Sequence, residues 1–129
     1  MKILIYSFND KIGDGLQKIT FLQELKRIYP NSIIYYTTTQ TTTLKDKLNP
    51  LVKDIINEFI EHNDIDSSFI SLIRKNSKIS RIKFDLIIDL QKVVLRTLNL
   101  KKIPHKKFFS ATANFLFSDF KNNNLKFKN

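Results

Sequence analysis

The sequence contains no cysteine, which rules out disulfides, thiolate metal sites and cysteine nucleophiles together and suits a reducing compartment such as the cytoplasm. It has only two glycines, Gly13 and Gly15, and three prolines. Two glycines cannot supply G-x-G-x-x-G, whose third position is Lys18 here, nor a G-x-x-x-x-G-K phosphate loop. No serine sits in a G-x-S-x-G elbow. His62 and His105 have no partner at metal-ligand spacing, so no metal is expected. No apolar run approaches the roughly 20 residues of a membrane span. The start, Met1 to Tyr6, lacks the long apolar region and small-residue cleavage site of a signal peptide.

What remains is a chain of 129 residues, 42% of them apolar and 11 of them Phe, a length suited to one domain with a real core. The net charge is +10, and it is unevenly spread. Residues 1–91 carry 13 basic and 11 acidic side chains; residues 92–129 carry 9 and 1. An anionic partner for the C-terminal third is one reading. The other is the compositional drift of an AT-rich genome, visible in 18 Lys, 18 Ile and 12 Asn. Nucleic acid is not the expected partner, because no zinc-finger or RRM signature accompanies the charge.

The pattern along the chain predicts an α/β fold, a Rossmann-like parallel sheet with flanking helices. Lys2 to Ser7 reads as a strand, Phe8 to Gly15 as a loop, and Leu16, Ile19, Leu22, Leu25 and Ile28 as the apolar stripe of a helix that Pro30 stops. Ser32 to Tyr36 reads as a second strand, and neither strand alternates with polar residues, as expected where both faces are covered. The threonine run 37–43 can extend that strand or cap the next element, with Thr43-x-x-Asp46 at capping-box spacing. Residues 51–60 fit either a helix or a short buried strand. A helix is expected over about residues 66–80, a clear strand at Phe84 to Leu90, a helix at 92–100, a short strand at Lys106 to Ser110 and a helix start at 111–118. The domain is expected to span 1–118, with 119–129 a basic polar tail.

Three segments can carry chemistry. Gly13-Asp14-Gly15 falls between the first strand and first helix, where ligands reach the carboxyl ends of a parallel sheet. Glycine there permits positive φ and close approach, and the helix start offers free N–H groups; a tight turn capped by Asp14 is the plainer alternative. Asp89 and Gln91, at the exit of the strong strand, can hydrogen-bond a polar ligand or cap the next helix. Lys101, Lys102, His105, Lys106 and Lys107 form a positive stretch that suits phosphates or an anionic membrane surface, or is a solvated loop.

The order of Lys2-Ile3-Leu4-Ile5-Tyr6, Ile12-Gly13-Asp14, Leu25-Lys26-Arg27-Ile28-Tyr29-Pro30 and Phe84-Asp85-Leu86-Ile87-Ile88-Asp89-Leu90-Gln91 resembles the N-terminal half of glycosyltransferase family 9, the lipopolysaccharide heptosyltransferases. The resemblance covers residues 1–100 and implies the acceptor-side domain of a two-domain GT-B inverting transferase. It implies Asp14 as the catalytic base, Gly13, Gly15, Asp89 and Gln91 around the acceptor, and the basic stretch on phosphates and carboxylates of an anionic glycolipid or on lipid headgroups at the inner face of the membrane. No cofactor is implied; a nucleotide-sugar is the co-substrate, held by a C-terminal donor domain. Such an enzyme needs about two domains of ~150 residues, and this chain supplies one, so transfer by it alone is not expected. The alternative is a stand-alone, non-catalytic Rossmann-like module that binds an anionic ligand or partner protein.

Overall fold

A computed structural model describes residues 1–63, 82–91 and 93–110. In chain order the elements are β1 (Lys2–Ser7), α1 (Ile12–Ile28), β2 (Ile33–Thr38), α2 (Asn49–Val52), β3 (Glu58–Ile60), β4 (Phe84–Asp89), α3 (Val94–Leu100) and β5 (His105–Ser110). The five strands form one parallel sheet in the order β3-β2-β1-β4-β5, with helices flanking it: a Rossmann-like α/β fold. Ile3 pairs with Ile34 on one side and Leu86 on the other, which fixes β1 at the centre.

The uninterrupted apolar strands follow from burial on both faces. Ile3, Ile5, Ile34, Tyr36, Leu86 and Ile88 pack with Ile19, Leu22 and Leu25 of α1. Leu4, Tyr6, Phe84, Ile87 and Phe108 pack with Leu100 of α3 and Ile103 on the opposite face. Successive strand residues point to opposite faces, so each strand feeds both layers.

Several boundaries differ from the sequence reading, each for a local reason. Helix α1 begins at Ile12, so Gly13-Asp14-Gly15 is its first turn and not a loop. The Asp14 carboxylate accepts the Lys11 backbone N–H at 3.2 Å, which completes that turn. Neither glycine has positive φ. Leu16 and Ile28, the ends of the predicted stripe, are exposed. A three-residue spacing precesses by about 60° per step around a 3.6-residue helix, so five such positions outrun one buried face.

Residues 51–60 follow neither reading in full: only Leu51 and Val52 are helical, as the end of α2, and Glu58–Ile60 forms a three-residue strand that pairs with β2 but is exposed to half-buried. Thr37 and Thr38 extend β2, whereas 39–48 form turns and Thr43 caps no helix; its hydroxyl donates to the Lys11 carbonyl at 3.2 Å. β5 starts one residue earlier than expected, at His105. The expected helices at 66–80 and 111–118 and the tail 119–129 lie outside the described residues.

Candidate functional site

The strand order reverses between β1 and β4, because β2 and β3 lie to one side of β1 and β4 and β5 to the other. At such a switch point the connections leaving the carboxyl ends diverge to opposite faces and open a crevice. Residues 8–11 enter it from β1, and Leu90, Gln91 and Val93 from β4. The Leu90 N–H donates to the Tyr6 carbonyl at 2.9 Å and closes its floor.

Gly13 and Asp14 stand at this edge, both exposed, on the first turn of α1. A Cβ on Gly13 would meet nothing within 4 Å. Gly15 faces inward instead: a Cβ there would come within 2.7 Å of both Leu48 Cδ1 and Thr43 Oγ1. Gly15 therefore lets the residue 43–48 turn pack against α1, and its role is packing. That turn also walls a cleft of about 500 Å³ lined by Thr41, Thr42, Thr43, Lys45, Asp46 and Glu61. Glu61 holds one side of it, accepting the Thr42 backbone N–H at 3.0 Å and pairing with Lys45 at 3.4 Å. The hydrogen bond from Thr43 to Lys11 joins the cleft to the start of α1.

Asp89 and Gln91 are buried and hydrogen-bonded to the protein. Asp89 Oδ1 accepts the Gln91 backbone N–H at 3.2 Å. Oδ2 accepts from Thr97 Oγ1 at 2.6 Å, Ser110 Oγ at 2.8 Å and Gln91 Nε2 at 3.1 Å. Gln91 Oε1 in turn accepts the Val93 N–H at 2.7 Å. The pair thus ties the end of β4 to the first turn of α3 and to the end of β5. Burial pushes the Asp89 carboxyl above its ordinary value, opposed by the hydrogen bonds from Thr97, Ser110 and Gln91.

Two features of this edge escaped the sequence reading. Asp10, buried, accepts from Ser7 Oγ at 2.8 Å, Tyr36 Oη at 2.6 Å, Thr42 Oγ1 at 2.9 Å and the Lys18 ammonium. This carboxylate pins β1, α1, β2 and the threonine turn together. Burial, then the Asp10 charge, pushes the Tyr36 phenol well above its ordinary value. The second feature is Arg96, on the first turn of α3, whose guanidinium carbon lies 3.8 Å from the centre of the Phe8 ring. Among the described residues it makes no ion pair, and its Nε is buried without a hydrogen-bond partner.

The lysine stretch does not join this site. α3 runs back across the sheet, so Lys101 to Pro104 and the start of β5 lie at the amino edge. The Phe84 N–H at the start of β4 donates to the Pro104 carbonyl at 2.9 Å. A six-residue strand separates this edge from Asp14, about 20 Å. Lys101, Lys102, His105, Lys106 and Lys107 therefore cannot share one small ligand group with Asp14. His105 Nδ1 is 2.6 Å from the Ile103 carbonyl, and Lys101 Nζ lies 5.2 Å from the Phe108 ring centre. Among the described residues no three His, Asp or Glu side chains converge as metal ligands, and no helix is long and apolar enough to cross a membrane.

No known protein family, curated protein or solved structure compared with the chain matches it.

Proposed function

We propose that the chain is the acceptor-side domain of an inverting glycosyltransferase that resembles family 9, and that Asp14 is its general base. The observation that carries this reading is the exposed Asp14 carboxylate at the switch-point crevice, beside an open Gly13 and a hydroxyl-lined cleft. A saccharide hydroxyl needs three things there: a carboxylate to take its proton, room for the sugar ring, and polar partners for the neighbouring hydroxyls. Gly13 leaves the room, and Thr41, Thr43 and Asp46 offer the partners.

In the proposed reaction the acceptor oxygen forms a bond to the anomeric carbon of a nucleotide-sugar. The bond from that carbon to the diphosphate oxygen breaks, and its electron pair leaves with the nucleotide. The proton passes to Asp14. A second α/β domain holds the donor and stabilises the departing diphosphate. Arg96 sits where it can meet a carboxylate or phosphate on the acceptor. Asp89 and Gln91 shape the crevice from beneath, since their polar atoms already bond one another, Thr97, Ser110 and Val93.

The test is a 1H–15N titration of the chain with a Kdo-containing oligosaccharide phosphate and, separately, with ADP-heptose. The saccharide is expected to shift residues 12–16 and 41–46, and ADP-heptose to shift none. Binding of ADP-heptose with no response to the saccharide overturns the assignment to the acceptor side. In the two-domain enzyme Asp14→Asn is expected to lower kcat by about 10²–10⁴-fold. The absence of an ion pair at Arg96 among the described residues favours a second reading, a non-catalytic module for an anionic ligand. Under that reading the saccharide phosphate binds through Arg96, and Asp14→Asn leaves both binding and any transfer unchanged.

A further inference from the structure

We infer, granted the acceptor-side reading, that Asp10 is the positioning residue of the saccharide site: through Thr42 it fixes the Thr41 and Thr43 hydroxyls relative to the Asp14 carboxylate. A buried carboxylate is costly unless hydrogen bonds and a counter-charge meet it. Asp10 receives both, from separate segments of the chain. Oδ1 accepts the Ser7 hydroxyl at 2.8 Å and the Lys18 ammonium. Oδ2 accepts Tyr36 Oη at 2.6 Å and Thr42 Oγ1 at 2.9 Å. Ser7 ends β1, Tyr36 lies in β2 and Lys18 in the second turn of α1. Those three elements are already joined by strand pairing and by the core beneath α1. Thr42 alone among the four donors stands outside any helix or strand, so what Asp10 adds is the hold on its turn.

Connections at the carboxyl edge of a parallel sheet are ordinarily its most mobile part. This turn is pinned by a backbone hydrogen bond at every residue from 40 to 44. The Gln40 N–H donates to the Phe8 carbonyl at 3.0 Å, and the Thr41 carbonyl accepts the Asp10 N–H at 3.0 Å. The Thr42 N–H donates to Glu61, and the Thr43 N–H to the Asp10 carbonyl, each at 3.0 Å. The Leu44 N–H donates to Thr42 Oγ1 at 3.2 Å. The Thr42 hydroxyl thus links Asp10 to the turn's own backbone and is committed to that task. Exposed Thr41 and half-buried Thr43 flank it on the cleft.

The same carboxylate reaches the general base from the other side. Lys18 lies four residues after Asp14, one turn further along α1. Asp10 therefore bonds both the helix that carries the base and the turn that carries the hydroxyls. Groups held in this way bind a sugar without the entropic cost of being ordered first, and they keep its reacting hydroxyl in register with the base.

The experiment is a 1H–15N titration with the Kdo-containing oligosaccharide phosphate, on the parent chain and on Thr42→Ser, Thr42→Val and Asp10→Asn. Valine has the shape of threonine without the hydroxyl; serine keeps the hydroxyl and loses a methyl group. If Thr42 only packs, Thr42→Val is the milder change. If its hydroxyl transmits the position set by Asp10, Thr42→Ser is the milder one. The expected result is Thr42→Ser within about 2-fold of the parent affinity and Thr42→Val weaker by about 5-fold or more, the effect of one misplaced hydrogen bond to the sugar. Asp10→Asn should weaken binding by a similar factor. Asp10→Asn and Thr42→Val together should be no weaker than the weaker single variant, because both break one link. The Ser and Val pair decides alone should Asp10→Asn fold poorly. Thr42→Val binding like the parent, Thr42→Ser binding as weakly as Thr42→Val, or additive losses in the double variant overturn the role of Asp10 and leave the acceptor assignment standing. A parent chain that binds no saccharide overturns both.

Discussion

The Asp89 cluster makes a prediction in which two effects compete. Truncating Asp89 to Ala leaves the Gln91 backbone N–H and the Ser110 hydroxyl without the acceptor seen at 3.2 and 2.8 Å. Thr97 Oγ1 and Gln91 Nε2 keep each other at 3.0 Å. Losing these two hydrogen bonds to a carboxylate, at about 1–2 kcal/mol each, gives a loss of about 2–4 kcal/mol. For a domain of this size that lowers Tm by roughly 8–16 °C. Asp89→Asn behaves differently. With its carbonyl oxygen in the three-donor position it keeps the bonds from Thr97, Ser110 and Gln91 Nε2, and sets only its NH2 against the Gln91 N–H. It loses one bond and the charge, but also the cost of burying that charge, so its stability should lie within about 1 kcal/mol of the parent. The pH dependence has a definite sign. Burial raises the Asp89 pKa above 3.8, so the folded chain holds this proton more tightly than the unfolded chain does. Between the unfolded and the raised folded value the native state binds more protons, and stability falls as pH rises through that window. The advantage of the parent over Asp89→Asn should therefore shrink as pH climbs from the acid side and then level off. Urea denaturation of the three proteins across that range measures it. An Ala variant as stable as the parent, or an Asn variant as unstable as the Ala variant, would refute the reasoning.

Tyr36→Phe removes the 2.6 Å bond to buried Asp10 and should cost about 1–2 kcal/mol by denaturant melts, without moving residues 12–16 in 1H–15N spectra. Gly13→Ala meets open space at a helical position and should raise stability by up to about 1 kcal/mol. Gly15→Ala meets Leu48 and Thr43 at 2.7 Å and should instead lower it by about 1 kcal/mol or more, a difference in sign that thermal melts resolve. Arg96→Met keeps an apolar contact on Phe8 but removes the guanidinium; binding of the saccharide phosphate should weaken by about 10-fold, as loss of one charge-assisted contact implies, while Tm holds.

The strands were legible because burial on both faces demands runs such as Lys2–Ser7 and Phe84–Asp89, and little else produces them. The placement of Gly13 and Asp14 at the carboxyl edge was legible for the same reason, since a helix after a first parallel strand starts there. The first turn of α1 was not, because two glycines near a helix start suggest a loop unless the Leu48 and Thr43 contacts at Gly15 are known. Asp10 was invisible for a deeper reason. Its donors come from residues 7, 18, 36 and 42, and only the alignment of Ser7 with Thr38 across β1 and β2 brings those positions to one point. Arg96 depends likewise on which side of a two-turn helix faces Phe8.

The lysine stretch shows how topology overrides proximity in sequence. Asp89 and Lys101 are twelve residues apart, yet one ends β4 and the other follows α3. In a parallel sheet the chain must return to the amino edge before the next strand can begin, so every helix–strand connection lies opposite the crevice. A basic run following a helix and preceding a strand is thereby excluded from the ligand crevice whatever its charge. Such a run gains its meaning from what else the amino edge presents, here Met1 and Ile33 beside Lys2. Two surfaces of different chemistry result, a hydroxyl-lined, carboxylate-bearing one at the carboxyl edge and a cationic, aliphatic one at the amino edge. Substitutions at the amino edge should therefore leave saccharide binding at the crevice unchanged, because about 20 Å of close-packed sheet separates the two and no described residue contributes to both.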